Sequence, residues 1–428
     1  MPVDTEEFVA AAGIGNLVRV TELLESAADP NVQNMCGDTA LIAATTKGHL
    51  ETVRLLLCRG ADPNVQNQYG DTALIAASLA GHLEVVRLLL QRGADPHIRD
   101  STGCSALVLA GKNGHEEIAH LLLTNGADPN VQNIHRNTAL SWAARNGHAA
   151  IVRLLLSNET DPNLQTNNGD TALIEAARHK HTEVVGLLLT NGADPDVRSE
   201  EGDTALILAV KNGRIEVVDL LLTNRADPNV PDNDRSTALM FAGRNGCLET
   251  VRLLLAHGAD LSIQNNDGDT AMMLAVLRNR VEVIDHLLNY GANHNLRNAY
   301  GDTALIWAAR YGKTAITRLL LANGADPNLQ RNDGGTTLIE AAKNDHVDAV
   351  NLLLTNRADP YVKDKRRRTA LSWAAQKGHN AVINALLHAH TEHFNHYSDI
   401  PRTLVGDDAV DTMMEKVNGE SRKRKDRS

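Results

Sequence analysis

Histidine, the residue best placed for proton and metal chemistry near neutral pH, occurs eighteen times in this chain. Seven of them, His49, His82, His115, His148, His181, His346 and His379, fall in one recurring Gly-His turn slot. A residue placed by repetition closes turns and is not read as a ligand or a base. The cluster HAHTEHFNHY, with His388, His390, His393 and His396, is different. His393 and His396 could chelate a metal on a helix, but no cysteine lies near and only Glu392 and Asp399 supply acid, so a polar cap is expected and no metal. The four cysteines, Cys36, Cys58, Cys104 and Cys247, share no paired spacing, which argues against zinc, redox catalysis and a disulfide framework. There is no phosphate loop, nucleophile elbow or HExxH. GIGN at Gly13 belongs to a repeat turn, and Ser141 and Ser372 lack a positioned His with an acid partner. No catalytic residue, no cofactor and no enzyme activity are therefore expected.

The chemistry that remains is recognition. Two blocks 165 residues apart, WAARNGHAAIVRLLL from Trp142 and WAARYGKTAITRLLL from Trp307, each place a Glu at the same later slot, Glu175 and Glu340. Residues three and four apart share a helix face, so Trp142 should lie near Arg145 and Asn146, and Trp307 near Arg310 and Tyr311. Trp and Tyr beside Arg is the composition of an interface hot spot; packing of each indole, Trp373 included, on the adjacent helix is the alternative. The exposed loop tips are expected to include Met35, Cys36, Gln68, Tyr69, Glu200, Glu201, Asp203, Asp234, Asp267, Asp269, Tyr300, Asp302 and Asp333. They read as an acidic ridge attractive to a basic partner, although an Asp just before a cap, as in Asp38, Asp71, Asp170 and Asp302, also favours a helix N-terminus.

The elements that must hold these residues follow one period. The threonine or serine of the TAL phrase recurs every 33 residues from Thr39 to Thr369, and a twelfth, atypical unit opens the chain near Glu6. In each unit a Thr or Ser offers an N-cap oxygen, an apolar stretch follows, and Gly-His breaks the run before a second helix such as LEVVRLLL. Gly60, Gly93, Gly126, Gly192, Gly258, Gly291 and Gly324 supply the left-handed residue that ends it. Glu159, Arg225 and Arg357 stand in that slot, and Arg136, Arg235 and Arg367 replace the loop-tip glycine. One such unit cannot cover its own apolar face, so neighbours must stack. Aromatics are only 3% of residues, which suits closely packed helices built of Leu and Ala.

The period, GxTAL, AAxxGH, VVRLLL and GADPN resemble the ankyrin repeat over nearly all of residues 1 to 396. The resemblance implies an all-α solenoid of helix-turn-helix units with short hairpin fingers. It divides the chain into an N-terminal capping repeat at 1–33, ten internal repeats at 34–363, a C-terminal capping repeat at 364–396 and a disordered tail with a basic end at 397–428. The family's usual Pro and His after the Thr are replaced here by Ala and an aliphatic or small residue, which predicts a more apolar network between repeats. The resemblance also implies a non-enzymatic scaffold or adaptor, monomeric, binding proteins on the concave face. Candidate contact residues are Trp142, Arg145, Glu175, Glu200, Glu201, Asp267, Tyr300, Trp307, Arg310, Tyr311, Glu340 and Trp373. Asn64, Asn130, Asn163 and Asn328 resemble asparagines hydroxylated in this family, against the plainer reading of an Asx turn fixing the loop.

Net charge is −11 over 428 residues, yet the last eight carry +4. So acidic a body repels phosphate backbones and anionic lipid and favours a basic protein partner. No stretch approaches the roughly 20 apolar residues of a membrane span, the opening MPVDTEEF is no secretory signal, and a reducing cytosol is the expected compartment. Arg422, Lys423, Arg424 and Lys425 resemble a nuclear-import signal, and the tail would equally suit an export signal of an ankyrin effector that intracellular bacteria inject into a host cell. A nuclear regulator or host-directed effector is therefore the runner-up reading.

Overall fold

The computed structural model describes residues 4–396. The basic tail and its four candidate import residues lie outside them. The chain forms two compact units, Met1–Tyr300 and Gly301–Ser428. Among the described residues there are 24 helices in antiparallel pairs, from Thr5–Gly13 with Leu17–Glu25 to Ala370–Lys377 with Asn380–His396. Nine pairs belong to the first unit and three to the second. Within each unit a first helix packs on the next first helix and on its own second helix, and second helices pack on second helices.

Each first helix starts where the sequence offers a cap. Thr39, Thr171 and Thr303 stand in extended backbone and accept from the amides of Ile42, Ile174 and Ile306, which satisfies a donor that the helix itself leaves free. Thr138 and Ser141 cap one another reciprocally. After the first, where Asn16 caps Leu17–Glu25 by accepting from the Arg19 amide, second helices such as Leu50–Cys58, Leu83–Gln91 and Thr182–Thr190 start at the His slot with no side-chain cap, and an acid in the first turn, such as Glu51 or Glu183, offsets the exposed amides through the helix dipole.

Burial follows the period. Leu41, Leu74, Leu107, Leu140, Leu173 and Leu206 are each 1% exposed, and Val53, Val86, Val152, Val185 and Val218 are fully buried behind them. Each such side chain contributes roughly 1.5–3 kcal/mol of burial, and only the stacking of neighbours makes that burial possible.

The coupling between neighbours is also polar. His181 hydrogen-bonds the Arg145 carbonyl at 3.0 Å and His346 that of Arg310 at 3.0 Å, each 36 residues back. The ring lies over the preceding turn so closely that a Cβ on Gly147 would sit 2.5 Å from His181 Nδ1; glycine is therefore required there by its neighbour as well as by its φ of +77°. Gln66 Nε2 donates to the Gly70 carbonyl in its own finger and to the Arg99 carbonyl of the next. Asn64 Nδ2 donates to the Gly93 carbonyl at 3.2 Å, and its Oδ1 accepts from the Asp95 amide at 2.8 Å. The Asx turn belongs instead to Asp62, which accepts from the Asn64 amide. Asn130, Asn163 and Asn328 repeat this bridge. The expected local role of these asparagines thus gives way to a tie between successive units.

The fingers are tight turns, with a single isolated bridge, Arg99 to Ser105, as strand-like pairing among the described residues. Their tips are strung together by main-chain bonds such as Glu200 N–H to the Asn168 carbonyl at 2.8 Å and Ala299 N–H to the Asp267 carbonyl at 2.8 Å.

Candidate functional site

In the second unit the Trp–Glu block is a closed ionic network. Asp302 precedes the cap Thr303, and Trp307 and Arg310 stand three apart on the first helix Ala304–Arg310. Arg310 grips Asp302 with two nitrogens, at 2.9 and 3.0 Å, and gives its Nε to Glu340 at 2.9 Å. Trp307 Nε1 donates to the same Asp302 at 3.2 Å. Arg331, at the start of the next finger, reaches between the carboxylates and bonds Asp302, Asp333 and Glu340. Burial opposes the charge on Arg310, but the hydrogen bonds and charge of Asp302 and Glu340 outweigh it and hold its pKa above the ordinary arginine value. Trp307 is 8% exposed and Glu340 3%. Both candidate contact residues are thus spent inside the unit, and Tyr311, edge-on to the Trp307 ring at 6.5 Å, is the exposed member of the group. Trp373 is half-buried; its Nε1 donates to Asp364 at 3.0 Å and Arg368 lies 3.4 Å over its ring.

The corresponding block in the first unit is built from the same residues and left open. Trp142 and Arg145 stand on the helix Ala139–Asn146, and Glu175 on the next first helix, Ala172–His179. The slots of Asp302 and Arg331 hold Asn137 and Thr166, and the slot of Gly335 holds Asp170. Thr166 is too short to reach Glu175 as Arg331 reaches Glu340. Arg145 stops 3.9 Å from Glu175 Oε1. His179 Nδ1 lies 3.5 Å from Oε2 but bonds the Glu175 carbonyl at 3.1 Å. Glu175 is 5% exposed, and its Oε2 has no hydrogen-bond partner. The Trp142 indole N–H is likewise buried without an acceptor, its ring flanked by Lys112 at 4.6 Å and Arg145 at 5.4 Å.

In front of Glu175 lies a cleft of about 380 Å³ lined by Arg145, Asn168, Asp170, Glu175, Arg178, His179, Ser199, Glu200 and Glu201. Burial pushes the Glu175 carboxyl above its ordinary range, with Asp170 adding to it and Arg145, His179 and Arg178 opposing. Burial raises Asp170 too, against its 2.8 Å ion pair with Arg178. An orphaned carboxylate facing an open cleft lined by four acids and two arginines is an arrangement suited to holding a cation, because an added positive charge meets an oxygen that has already lost its water.

Elsewhere the acidic ridge divides. Glu200, Glu201, Asp234, Asp267 and Asp333 are exposed, as are Met35, Cys36, Gln68, Tyr69 and Tyr300. Asp203, Asp269 and Asp302, expected at the exposed tips, are buried at 3%, 7% and 2%, because Lys211 pairs with Asp203 at 2.6 Å, Asn298 donates to Asp269 at 2.8 Å, and Arg310 grips Asp302. Sequence reasoning missed Asp170, Arg178 and His179 as cleft residues and Arg331 as the centre of the second network. The one available signal was that Arg331 stands where Thr166 stands in an otherwise matched block. Among the described residues no group of three His, Cys, Asp or Glu could hold a metal ion, and no helix is long and apolar enough to cross a membrane. His390, His393 and His396 carry side chains outside the described set.

A family model described as ankyrin repeats in three copies matches residues 8–100, 57–133, 107–199, 191–265, 239–331 and 305–397. The search of curated proteins found no match. Ankyrin repeats generally serve as protein–protein interaction modules. With its capped helix pairs, its 33-residue period and these matches along nearly its whole length, the chain belongs to the ankyrin-repeat family.

Proposed function

We propose that this chain is a non-enzymatic scaffold, monomeric and cytosolic, that binds basic segments of partner proteins along the first helices and fingers. The observation that carries this reading is the cleft at Glu175, where Arg145, Glu200 and Glu201 are exposed around a buried carboxylate. Trp142 lies beside its Arg145, Asp267, Tyr300 and Tyr311 extend the exposed row within their own units, and Trp373 lies half-buried on its own first helix. A partner with basic surface meets an overall charge of −11, which favours encounter at low ionic strength. Nucleic acid and membrane surfaces fit the same charge poorly.

Selection of displayed peptides on the immobilised full chain tests the reading. Peptides that bind the native chain and not a folded Glu175→Gln, Glu200→Ala, Glu201→Ala variant are expected. A selection that yields no peptide able to tell the two apart would overturn it.

A further inference from the structure

We infer that the cleft in front of Glu175 is a receptor for a single arginine side chain of the partner, and that the second unit shows the bound arrangement in intramolecular form. This rests on the interaction reading above and names its ligand. The two blocks carry the same Trp, Arg and Glu in the same register, and they differ in what fills the space before the Glu. In the second unit Arg331 occupies that space and saturates Glu340 at 3.1 Å while also pairing with Asp302 and Asp333. In the first, the short Thr166 stands in the slot of Arg331, no arginine from that slot reaches Glu175, and a cleft lies before the carboxylate. Glu175 lines it at 95% burial with one carboxylate oxygen lacking any hydrogen-bond donor.

The lining holds more acid than base, Asp170, Glu175, Glu200 and Glu201 against Arg145 and Arg178, with His179 beside them. A guanidinium suits it better than an ammonium for two reasons. Its flat fork gives parallel N–H groups to carboxylates on different elements, as Arg331 does, whereas lysine offers a point charge. It is also the more weakly hydrated cation, so it gives up less on entering a site where the acceptor is already desolvated. Glu200 and Glu201, exposed on the finger at the mouth, are placed to guide the approach of the chain that carries it.

The test uses the full chain with its three tryptophans replaced biosynthetically by 5-fluorotryptophan, giving one ¹⁹F signal each, assigned with Trp142→Phe. The probes are N-acetyl-arginine methylamide, its citrulline counterpart, which keeps the shape and loses the charge, and N-acetyl-lysine methylamide. Arginine is expected to move the Trp142 signal saturably and to leave those of Trp307 and Trp373 unmoved, with citrulline inactive and lysine at least fivefold weaker. Thr166→Arg, which installs the internal arginine of the second unit, should abolish the response, and Glu175→Gln should weaken it at least tenfold; circular dichroism checks that each is folded. If Thr166→Arg does not fold, the Glu175→Gln titration decides. Equal responses to arginine and citrulline, or to arginine and lysine, would overturn the proposal, as would a response that survives Glu175→Gln. Peptides selected at this cleft that lack arginine would overturn it too and leave the interaction reading standing.

Discussion

Arg225 stands at a φ of 69° in the slot where Gly192 and Gly258 stand at 86°. The left-handed region crowds its Cβ against the backbone, at a cost of roughly 1 kcal/mol that glycine avoids. Glu159 and Arg357 carry the same strain at 55° and 65°. Arg225→Gly should therefore raise stability by about 0.5 kcal/mol, the relief being partly offset by the freer unfolded chain. The converse change, Gly324→Ala, meets no atom within 4 Å of the new Cβ, so its loss of about 1 kcal/mol is purely conformational. Glu200→Ala on an exposed finger should change stability by less than about 0.5 kcal/mol, and urea melts of the three variants rank these effects. Equal shifts for Gly324→Ala and Glu200→Ala would contradict the conformational account. These left-handed positions were legible in the sequence because the period marks each slot whatever residue fills it. Lys180, Asn279 and Asp345, also left-handed, lie in the Gly-His slot and could have been found by the same rule.

Between neighbouring elements, what matters is whether a polar group finds its partner one repeat away. Asp196 takes the slot of Asn163 and Asn229 and keeps the acceptor half of their bridge, taking the Asp227 amide at 2.9 Å. It has no donor for the carbonyl that Asn163 and Asn229 reach. Burial raises its pKa, with the Asp227 and Asp194 charges adding to it against the hydrogen bond from Asp227. A raised folded pKa means that ionisation costs stability at neutral pH. Asp196→Asn should then stabilise by about 1 kcal/mol at pH 7, and the gain should shrink as pH falls through the raised folded value toward the ordinary 3.8. Glu175 and Glu340 make a sharper pair. Glu340→Gln strips a buried acceptor from two arginines and should cost about 2 kcal/mol. Glu175→Gln removes a carboxylate that burial already disfavours and should raise the melting temperature at pH 7, an advantage lost as pH falls toward the ordinary 4.5. Opposite signs in paired thermal melts are the expected result; a loss in both would mean that Glu175 is as well satisfied as Glu340. The contacts of Trp142 with Arg145 and of Trp307 with Tyr311 were readable from helical spacing alone. The difference between the two blocks was not, since it depends on how far the side chain at the start of a finger reaches onto the next first helix. The burial of Asp203 and Asp269 escaped for the same reason: a dipole argument explains an acid before a cap, but not the Lys211 or Asn298 that encloses it.

Within each unit, contacts join each repeat to those beside it, and the helix pairs found in contact are neighbours along the sequence. Such an array has stability that is approximately a sum of local and nearest-neighbour contributions, so damage should stay local. Leu206→Ala, at a position 1% exposed, should cost roughly 2–5 kcal/mol. Amide exchange should then accelerate first in the helices from Ala172 to Asn245, with distant repeats of the same unit keeping their protection; a uniform loss of protection would show that the unit melts as one body. The all-helical fold and its period were the most legible features of the sequence, because every repeat restates the same caps and the same apolar slots. The polar ties were less so, since a Gln or Asn that bonds 33 or 29 residues away has no local reason to be there. The histidine ties, unlike these, run backward, from a later ring to an earlier carbonyl. The turn at Gly147 is covered by the His181 ring, a side chain from the repeat that follows it. Under mechanical tension this makes the tiled stretches of a unit polar, like a row of tiles each overlapped by the next: detaching a later repeat uncovers the turn of the one before it wherever such a ring lies, whereas detaching an earlier repeat leaves the covered turns beyond it as they were, so a unit pulled from its two ends should give way in a preferred direction.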